Sequence, residues 1–148
     1  MGKEPPSPLW KKLNLKNHDP VAVIEQPDSF RSEIESLGDR NVVTTLTTRH
    51  NVAFALIFVQ TKSALNRQAT AVGRSIRGDA VLWFAYPKKS SKIYHSELSR
   101  DEGWEPLGSP GFEGVRQVAI DHDWSALRFR RVEYIKELTR HRKRRLTG

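Results

Sequence analysis

Hydrophobic residues along this chain are concentrated in short runs that contain no polar position. Such runs cover residues 21–24, 52–59 and 81–86. A strand that is covered on both faces, as in the middle of a parallel sheet, has this uninterrupted pattern, whereas a half-exposed strand alternates. We therefore predict three buried strands, and a further strand at residues 42–47, where β-branched side chains are frequent.

Other segments have the spacing of helices or of a hairpin. Between residues 61 and 77, apolar side chains recur at every third or fourth position, and basic side chains fall between them. The apolar positions are Leu65, Ala69, Val72 and Ile76. A shorter helix is predicted, with Asp28 or Ser29 as its N-cap and Gly38 as its stop. Two strands at residues 115–121 and 126–132, joined by a short polar turn, predict a hairpin.

The order of these elements predicts a single α/β domain. Strand–helix–strand units with buried strands favour a mixed, mainly parallel sheet with helices on both faces, here followed by a C-terminal antiparallel hairpin. The architecture is analogous to half of a Rossmann-like or methyltransferase-like fold. We place the domain at residues 9–135, between a Pro-rich flexible lead at 1–8 and a basic tail at 136–148.

The composition narrows the class of protein. The chain has 148 residues and no cysteine, which excludes disulfides, cysteine-bound zinc and thiol nucleophiles. No run approaches the roughly 18–20 apolar residues that a membrane span needs, and the start of the chain lacks the apolar core of a signal peptide. A cytoplasmic location is therefore expected.

The positive charge is distributed unevenly. The net charge is +8, and the tail at 136–148 contributes +5 of it, from six Lys or Arg and one Glu. Such a tail attracts any polyanion, nucleic acid included, but charged termini are also commonly solvated and without a ligand. Both interpretations of the tail remain open on sequence grounds.

A basic, hydroxyl-rich turn follows the apolar run at 81–86 and predicts an anion site. Ligands of open α/β sheets bind just outside the carboxyl ends of the strands. The residues placed there are Lys88, Lys89, Ser90, Ser91 and Lys92, with Tyr94 close enough to join them. Lysines suit phosphate as point charges, and turn amides add donors. The alternative is a turn that is basic for solubility alone.

Other candidate positions are less specific. The cluster at 121–123 (DHD) has metal-ligand residue types, but these are also ordinary turn residues, and no metal is predicted. Arg128 and Arg130 share one face of the last strand. On that face they could be exposed to solvent, pair with carboxylates, or contact nucleic acid, and the sequence leaves these alternatives open. No nucleophile elbow, phosphate loop or zinc-binding helix motif occurs. Residues 25–29 (EQPDS) stand where a Gly-rich NAD fingerprint would lie, so the cofactor stays unknown and an S-adenosylmethionine-type ligand is not excluded.

Two motifs, WFAYPK at residues 83–88 and DHDWSALRF at residues 121–129, resemble those of a bacterial family known only as domain of unknown function 3052. The resemblance covers roughly residues 9–132, with Tyr86 in place of the family's usual second Trp. It implies a small bacterial cytoplasmic α/β domain and supplies no activity or catalytic residue. It also implies one constellation, formed by Pro87, Lys88, Trp124, Ser125 and Arg128.

Three functions follow as hypotheses. The first is a non-catalytic module that binds an anion or nucleotide, because cations stand at a strand end without an acid–base–nucleophile set. The second is a transferase-type enzyme that uses a nucleotide cofactor, with Glu25 or Asp121 as the base or the ribose contact. The third is a protein that binds nucleic acid or a partner protein through its basic tail.

Overall fold

The computed structural model describes residues 7–49, 51–135 and 146–147. Six strands form one mixed sheet in the order β2-β1-β3-β4-β6-β5. The strands are β1 Val21–Ile24, β2 Val42–Val43, β3 Phe54–Phe58, β4 Val81–Pro87, β5 Phe112–Ala119 and β6 Trp124–Arg131. The first four are parallel, and β6 runs antiparallel between β4 and β5. The predicted α/β class, the mainly parallel sheet and the C-terminal hairpin are confirmed.

Within the described ranges, three helices cover the two faces of the sheet. They are α1 Pro8–Lys12, α2 Arg31–Glu35 and α3 Lys62–Ser75. Helix α3 packs on the face that carries Ile57 and Phe84. Helix α1 and the 3₁₀ turn that precedes α2 cover the opposite face, which carries Trp83. Among the described residues, no helix has the length and apolar character that crossing a bilayer requires.

The apolar runs form the buried strands, because the sheet is covered by a hydrophobic core on each of its two faces. Strands β1, β3 and β4 are buried at every position. Helix α3 begins where predicted, because the Thr61 hydroxyl caps it by accepting a hydrogen bond from the Ala64 amide at 3.0 Å. Its predicted apolar side chains Leu65, Ala69 and Val72 are those it buries.

Some predicted boundaries were wrong. Strand β2 has two residues rather than the predicted six, because it is an edge strand that pairs only with β1. Strand β5 begins at Phe112 rather than at residue 115, and an irregularity between Gly114 and Arg116 interrupts the alternation that the sequence pattern relies on. Helix α1 begins at Pro8, the last residue of the predicted lead, and packs on the sheet through Leu9 and Trp10.

The predicted lead and tail lie largely outside the described residues, which omit 1–6, 50, 136–145 and 148. After β6 the structure describes a 3₁₀ turn, Val132–Tyr134. Leu146 and Thr147, the described tail residues, contact the domain by donating hydrogen bonds to the buried carboxylate of Glu113.

The strand order fixes where the chain changes direction in the sheet. Strand β2 lies on one side of β1 and β3 on the other, so connections leave the two strands in opposite directions. In open α/β sheets the crevice at such a switch point, outside the carboxyl ends of the strands, is the usual ligand position. The carboxyl ends of β1, β3 and β4 all lie at this edge, because these strands are parallel.

Candidate functional site

A cleft of about 350 Å³ lies at the carboxyl end of β4, and we call it the β4 cleft. Its floor is formed by Tyr86, Gln117 and Ser125. Its rim carries three cations and two acids, which are Lys88, Lys89, Arg100, Asp101 and Glu102. The cleft therefore combines hydrogen-bonding groups on buried strands with charges of both signs at its entrance.

The floor of the β4 cleft comes from three adjacent strands. Tyr86 pairs with Ser125 across β4 and β6, and the Gln117 side-chain amide of β5 donates a hydrogen bond to the Tyr86 hydroxyl at 2.6 Å. Burial raises the pKa of Tyr86, although the hydrogen bond from Gln117 opposes that rise. The phenol is thus neutral at physiological pH, and its own proton is available to a ligand.

The outer wall of the β4 cleft is held by Trp104. The indole Nε1 of Trp104 donates to the Ser99 carbonyl at 2.7 Å, and its ring packs against Phe84, Tyr86 and Phe129. Gly103 beside it has φ +100°, and a Cβ there would lie 2.5 Å from a Leu98 methyl carbon. No role was predicted for this pair of residues, because a lone Trp in a polar segment shows no periodicity.

Only part of the predicted anion-binding turn lines the β4 cleft. Lys88 and Lys89 line the β4 cleft, whereas Ser90 and Lys92 are exposed and do not line it. The Ser91 hydroxyl donates to an Asp123 carboxylate oxygen at 2.9 Å and accepts from the amides of Ile93 and Tyr94. Ser91 therefore holds the turn against the hairpin, and its hydroxyl is fully used by these bonds.

The group of residues implied by the family resemblance also lies only partly at the β4 cleft. Pro87, Lys88 and Ser125 line the β4 cleft together. Trp124 is 2% exposed and packs on the rings of Tyr94 and Phe58, with centroids 5.0 and 5.1 Å away. The cleft thus gathers part of the predicted set, while Trp124 and Tyr94 form an aromatic support beside it.

Arg128 lies away from the β4 cleft. Its partner on β4 is Trp83, three residues before Tyr86, the partner of Ser125. Trp83 and Tyr86 point to opposite faces of the strand, since they belong to the two separate cores. Arg128 therefore shares neither the position nor the face of the cleft.

The cluster at 121–123 forms the hairpin turn. A carboxylate oxygen of Asp121 accepts hydrogen bonds from the amides of Asp123 and Trp124, at 2.8 and 2.9 Å. Asp123 in turn binds Ser91. These bonds are those of an Asx turn, and they hold the hairpin against the turn that follows β4.

A second cleft, of about 210 Å³, lies at the switch point between β1 and β3. We call it the switch-point cleft. Its lining includes Glu25 after β1, Thr61 at the start of α3, Arg67 and Gln68 on α3, and Trp124. Of these, the sequence indicated Glu25 and Trp124. Arg67 and Gln68 were missed because they belong to the polar face of an amphipathic helix, where most side chains are merely solvated.

Glu25 has an unusual backbone conformation in this cleft. Its φ is +61°, in the left-handed region that disfavours residues with a Cβ. Its side chain is exposed, and among the described residues its carboxylate has no hydrogen-bond or ion-pair partner. Strained non-glycine residues are frequent at functional sites, where the surrounding structure holds them.

Comparison with known proteins gives structural similarities only. No family model and no curated protein matches the chain. A Methanococcus jannaschii fibrillarin, a pre-rRNA processing protein, is similar at 16% identity and a TM-score of 0.45, over 74% of this chain and 55% of that one. The chain thus spans about half of that protein.

Two other solved structures are similar to a comparable degree. A putative type 11 methyltransferase from Sulfolobus solfataricus has 13% identity and a TM-score of 0.44, over 83% of this chain and 75% of that one. A Streptococcus agalactiae protein of the NADB-Rossmann superfamily has 10% identity and a TM-score of 0.45, over 88% of this chain and 70% of that one.

Proposed function

We propose that this protein is a binding module for a small phosphate-bearing ligand of the nucleotide class, held in the β4 cleft. The observation that supports it best is the juxtaposition of Lys88, Lys89 and Arg100 on the rim of a cleft whose floor offers the Tyr86 hydroxyl. The cleft also lies at the carboxyl edge of an open α/β sheet, where such ligands bind.

The charges of the rim favour a ligand with two different ends. The ammonium groups of Lys88 and Lys89 have no ion-pair partner among the described residues, so a phosphate would supply their counter-charge. Asp101 and Glu102 stand on the same rim and would repel a bare anion. Carboxylates suit the hydroxyls of a ribose, and a nucleotide carries both groups.

Replacing both Lys88 and Lys89 by Ala is expected to weaken nucleotide binding by about tenfold to a hundredfold, because charge-assisted hydrogen bonds contribute about 1.5–3 kcal/mol. The measurement is a thermal-shift titration with adenosine and guanosine nucleotides, repeated at high salt. Lys92→Ala is the matched control, since this lysine belongs to the same turn but lies outside the cleft. Equal affinity in the double variant and the control would reject the site.

A second candidate function is a transferase-type enzyme that binds a nucleoside cofactor in the switch-point cleft. The strained, unpartnered Glu25 at the end of β1 favours it, because a carboxylate at this position suits a ribose contact or a base. Arg67 and Gln68 on α3 would add donors from the facing wall.

Glu25→Gly is expected to raise the free energy of unfolding by about 1 kcal/mol, because glycine adopts the left-handed conformation without the Cβ penalty. The same change should weaken the binding of a nucleoside cofactor such as S-adenosylmethionine. Urea unfolding and calorimetric titration measure the two effects. Glu35→Gly, at an exposed position of α2, is the control and should destabilise. A stability gain with unchanged cofactor binding would exclude a ligand role for Glu25.

Three further expectations stay predictions. They are membership of the family known as domain of unknown function 3052, a cytoplasmic location, and nucleic-acid or partner binding through the basic tail. The tail's cations fall at residues 136–145, outside the described residues.

A further inference from the structure

Three arginines form a row on the face of the sheet opposite α3. Arg128 and Arg130 lie two residues apart on β6 and therefore share a face. Arg116 of β5 is paired in register with Arg128, after the irregularity between Gly114 and Arg116. Like charges that stand directly opposite each other in a sheet are destabilising, so this arrangement calls for a compensating group.

The compensating group is present for Arg130. Its guanidinium binds Asp79 in a bidentate manner, through contacts of 3.0 and 2.6 Å between nitrogen and carboxylate oxygen. Asp79 is thereby engaged at the far end of the row.

Arg128 has no such partner. It is half-buried, its Nε is sealed from solvent, and no hydrogen bond or ion pair to it exists among the described residues. Burial lowers the pKa of Arg128 most, and the neighbouring Arg130 lowers it further. Asp79 raises this pKa by less than Arg130 lowers it, and the lowering by Arg116 is smaller still. A partly buried cation without a partner is costly in free energy.

His18 lies on the same face of the sheet, because its ring packs on Phe54, which belongs to the same core as Trp83, the strand partner of Arg128. Its Nδ1 accepts a hydrogen bond from the Lys16 amide at 3.1 Å, so the neutral ring carries its proton on Nε2. Burial lowers the pKa of His18, and the positive charges of Arg40, Lys16 and Arg128 lower it further. The ring is fixed by packing on Phe54, with centroids 5.6 Å apart.

We propose that Arg128, together with Arg116 and His18, binds a phosphate group on the sheet face opposite α3. A phosphate would neutralise the repulsion between the two arginines, take the bidentate fork of a guanidinium and accept a hydrogen bond from His18. The site is separate from the β4 cleft and the switch-point cleft, neither of which Arg128 lines. The phosphate comes either from a small molecule or from a nucleic-acid backbone.

The test is a binding titration at constant ionic strength with two probes, inorganic phosphate and a short single-stranded DNA. Arg128→Met keeps the apolar stem and removes the charge. It is expected to weaken the binding of the responding probe by about tenfold or more. Without either probe, its melting temperature should equal or exceed that of the wild type, because an uncompensated charge is gone. A merely structural role for Arg128 predicts the opposite shift.

The controls separate this site from the one proposed above. Arg74→Met removes an exposed arginine of α3 on the other face and should keep the full response to the probe. The Lys88/Lys89 double alanine variant removes the rim of the β4 cleft, and the response that remains in it should be lost when Arg128→Met is added. Arg116→Met changes an exposed residue, so it folds in any case, and should weaken binding several-fold.

The outcomes decide both the proposal and the source of the phosphate. A response to inorganic phosphate that depends on Arg128 supports a small ligand, and a response to DNA alone with the same dependence supports a nucleic-acid backbone. Wild-type affinity in Arg128→Met, or a wild type that binds neither probe, overturns the proposal.

Discussion

Trp104→Ala is expected to lower the free energy of unfolding by about 3–5 kcal/mol, which is the usual effect of removing a large buried aromatic side chain. Trp104 is 1% exposed and contacts the rings of Phe84, Tyr86 and Phe129, so the change opens a cavity that three strands border. It also releases the Ser99 carbonyl, which accepts from the indole Nε1. Equilibrium unfolding in urea measures the loss.

The conservative variant Trp104→Phe separates packing from positioning. It keeps an aromatic ring but loses the hydrogen bond to Ser99, so a loss of about 1–2 kcal/mol is expected. Because Ser99–Glu102 form the wall of the β4 cleft, nucleotide affinity should fall more than in a control at an equally buried site away from the cleft. Trp83→Phe is that control: Trp83 is 0% exposed and donates to the Leu13 carbonyl at 2.8 Å. Equal affinities in the two variants would contradict a positioning role for Trp104.

The elements that the sequence predicted correctly are those in which a local pattern and the tertiary environment agree. The uninterrupted apolar run at 81–86 became β4, buried at every position, and the spacing from Leu65 to Val72 became the buried side of α3. Thr61 marked the helix start because its hydroxyl acts within one turn of chain. Signals of this kind depend only on residues close together in the chain, so they can be recognised from a single sequence.

The parts of the candidate site that the sequence missed depend on contacts between distant residues. Arg100 lines the same cleft as Lys88 only because the segment before Trp104 folds back beside the end of β4. Arg128 was grouped with Lys88 by motif, but the antiparallel register places it beside Trp83 on the other face. Whether an arginine in a strand has a carboxylate partner is also a tertiary property: Asp79 pairs with Arg130 and leaves Arg128 without an ion pair among the described residues.

The burial of Glu113 could not be predicted from the sequence for the same reason, because it depends on contacts with distant residues. Glu113 precedes the predicted strand at residues 115–121, where a charged residue is expected to be exposed, yet it is 0% exposed. Its partners are Leu146 and Thr147, more than thirty residues away in the segment that composition placed in the basic tail. A buried carboxylate is tolerated only where hydrogen-bond donors satisfy it, and here main-chain amides do so.

Glu113→Gln is therefore expected to lower the free energy of unfolding by about 2–3 kcal/mol, because hydrogen bonds to a charged acceptor are replaced by one neutral bond and one clash between donors. The carboxylate accepts from the Leu146 amide at 2.8 Å and from the Thr147 amide at 2.6 Å, and the Thr147 hydroxyl donates to it as well. Gly108 allows this approach, because a Cβ there would lie 2.2 Å from the Leu146 carbonyl oxygen. Chemical denaturation of both proteins measures the difference.

Two further variants show whether the effect of Glu113 arises at Leu146 and Thr147. Thr147→Val removes the hydroxyl donor alone and should cost about 1 kcal/mol, and the double variant should cost less than the two losses together, because the residues share one network. Glu133→Gln, at an exposed acid beyond β6, should change stability by about 0.5 kcal/mol or less. If Glu113→Gln were as mild as this control, or if its effect added fully to that of Thr147→Val, the carboxylate would not be what holds the end of the chain on the domain.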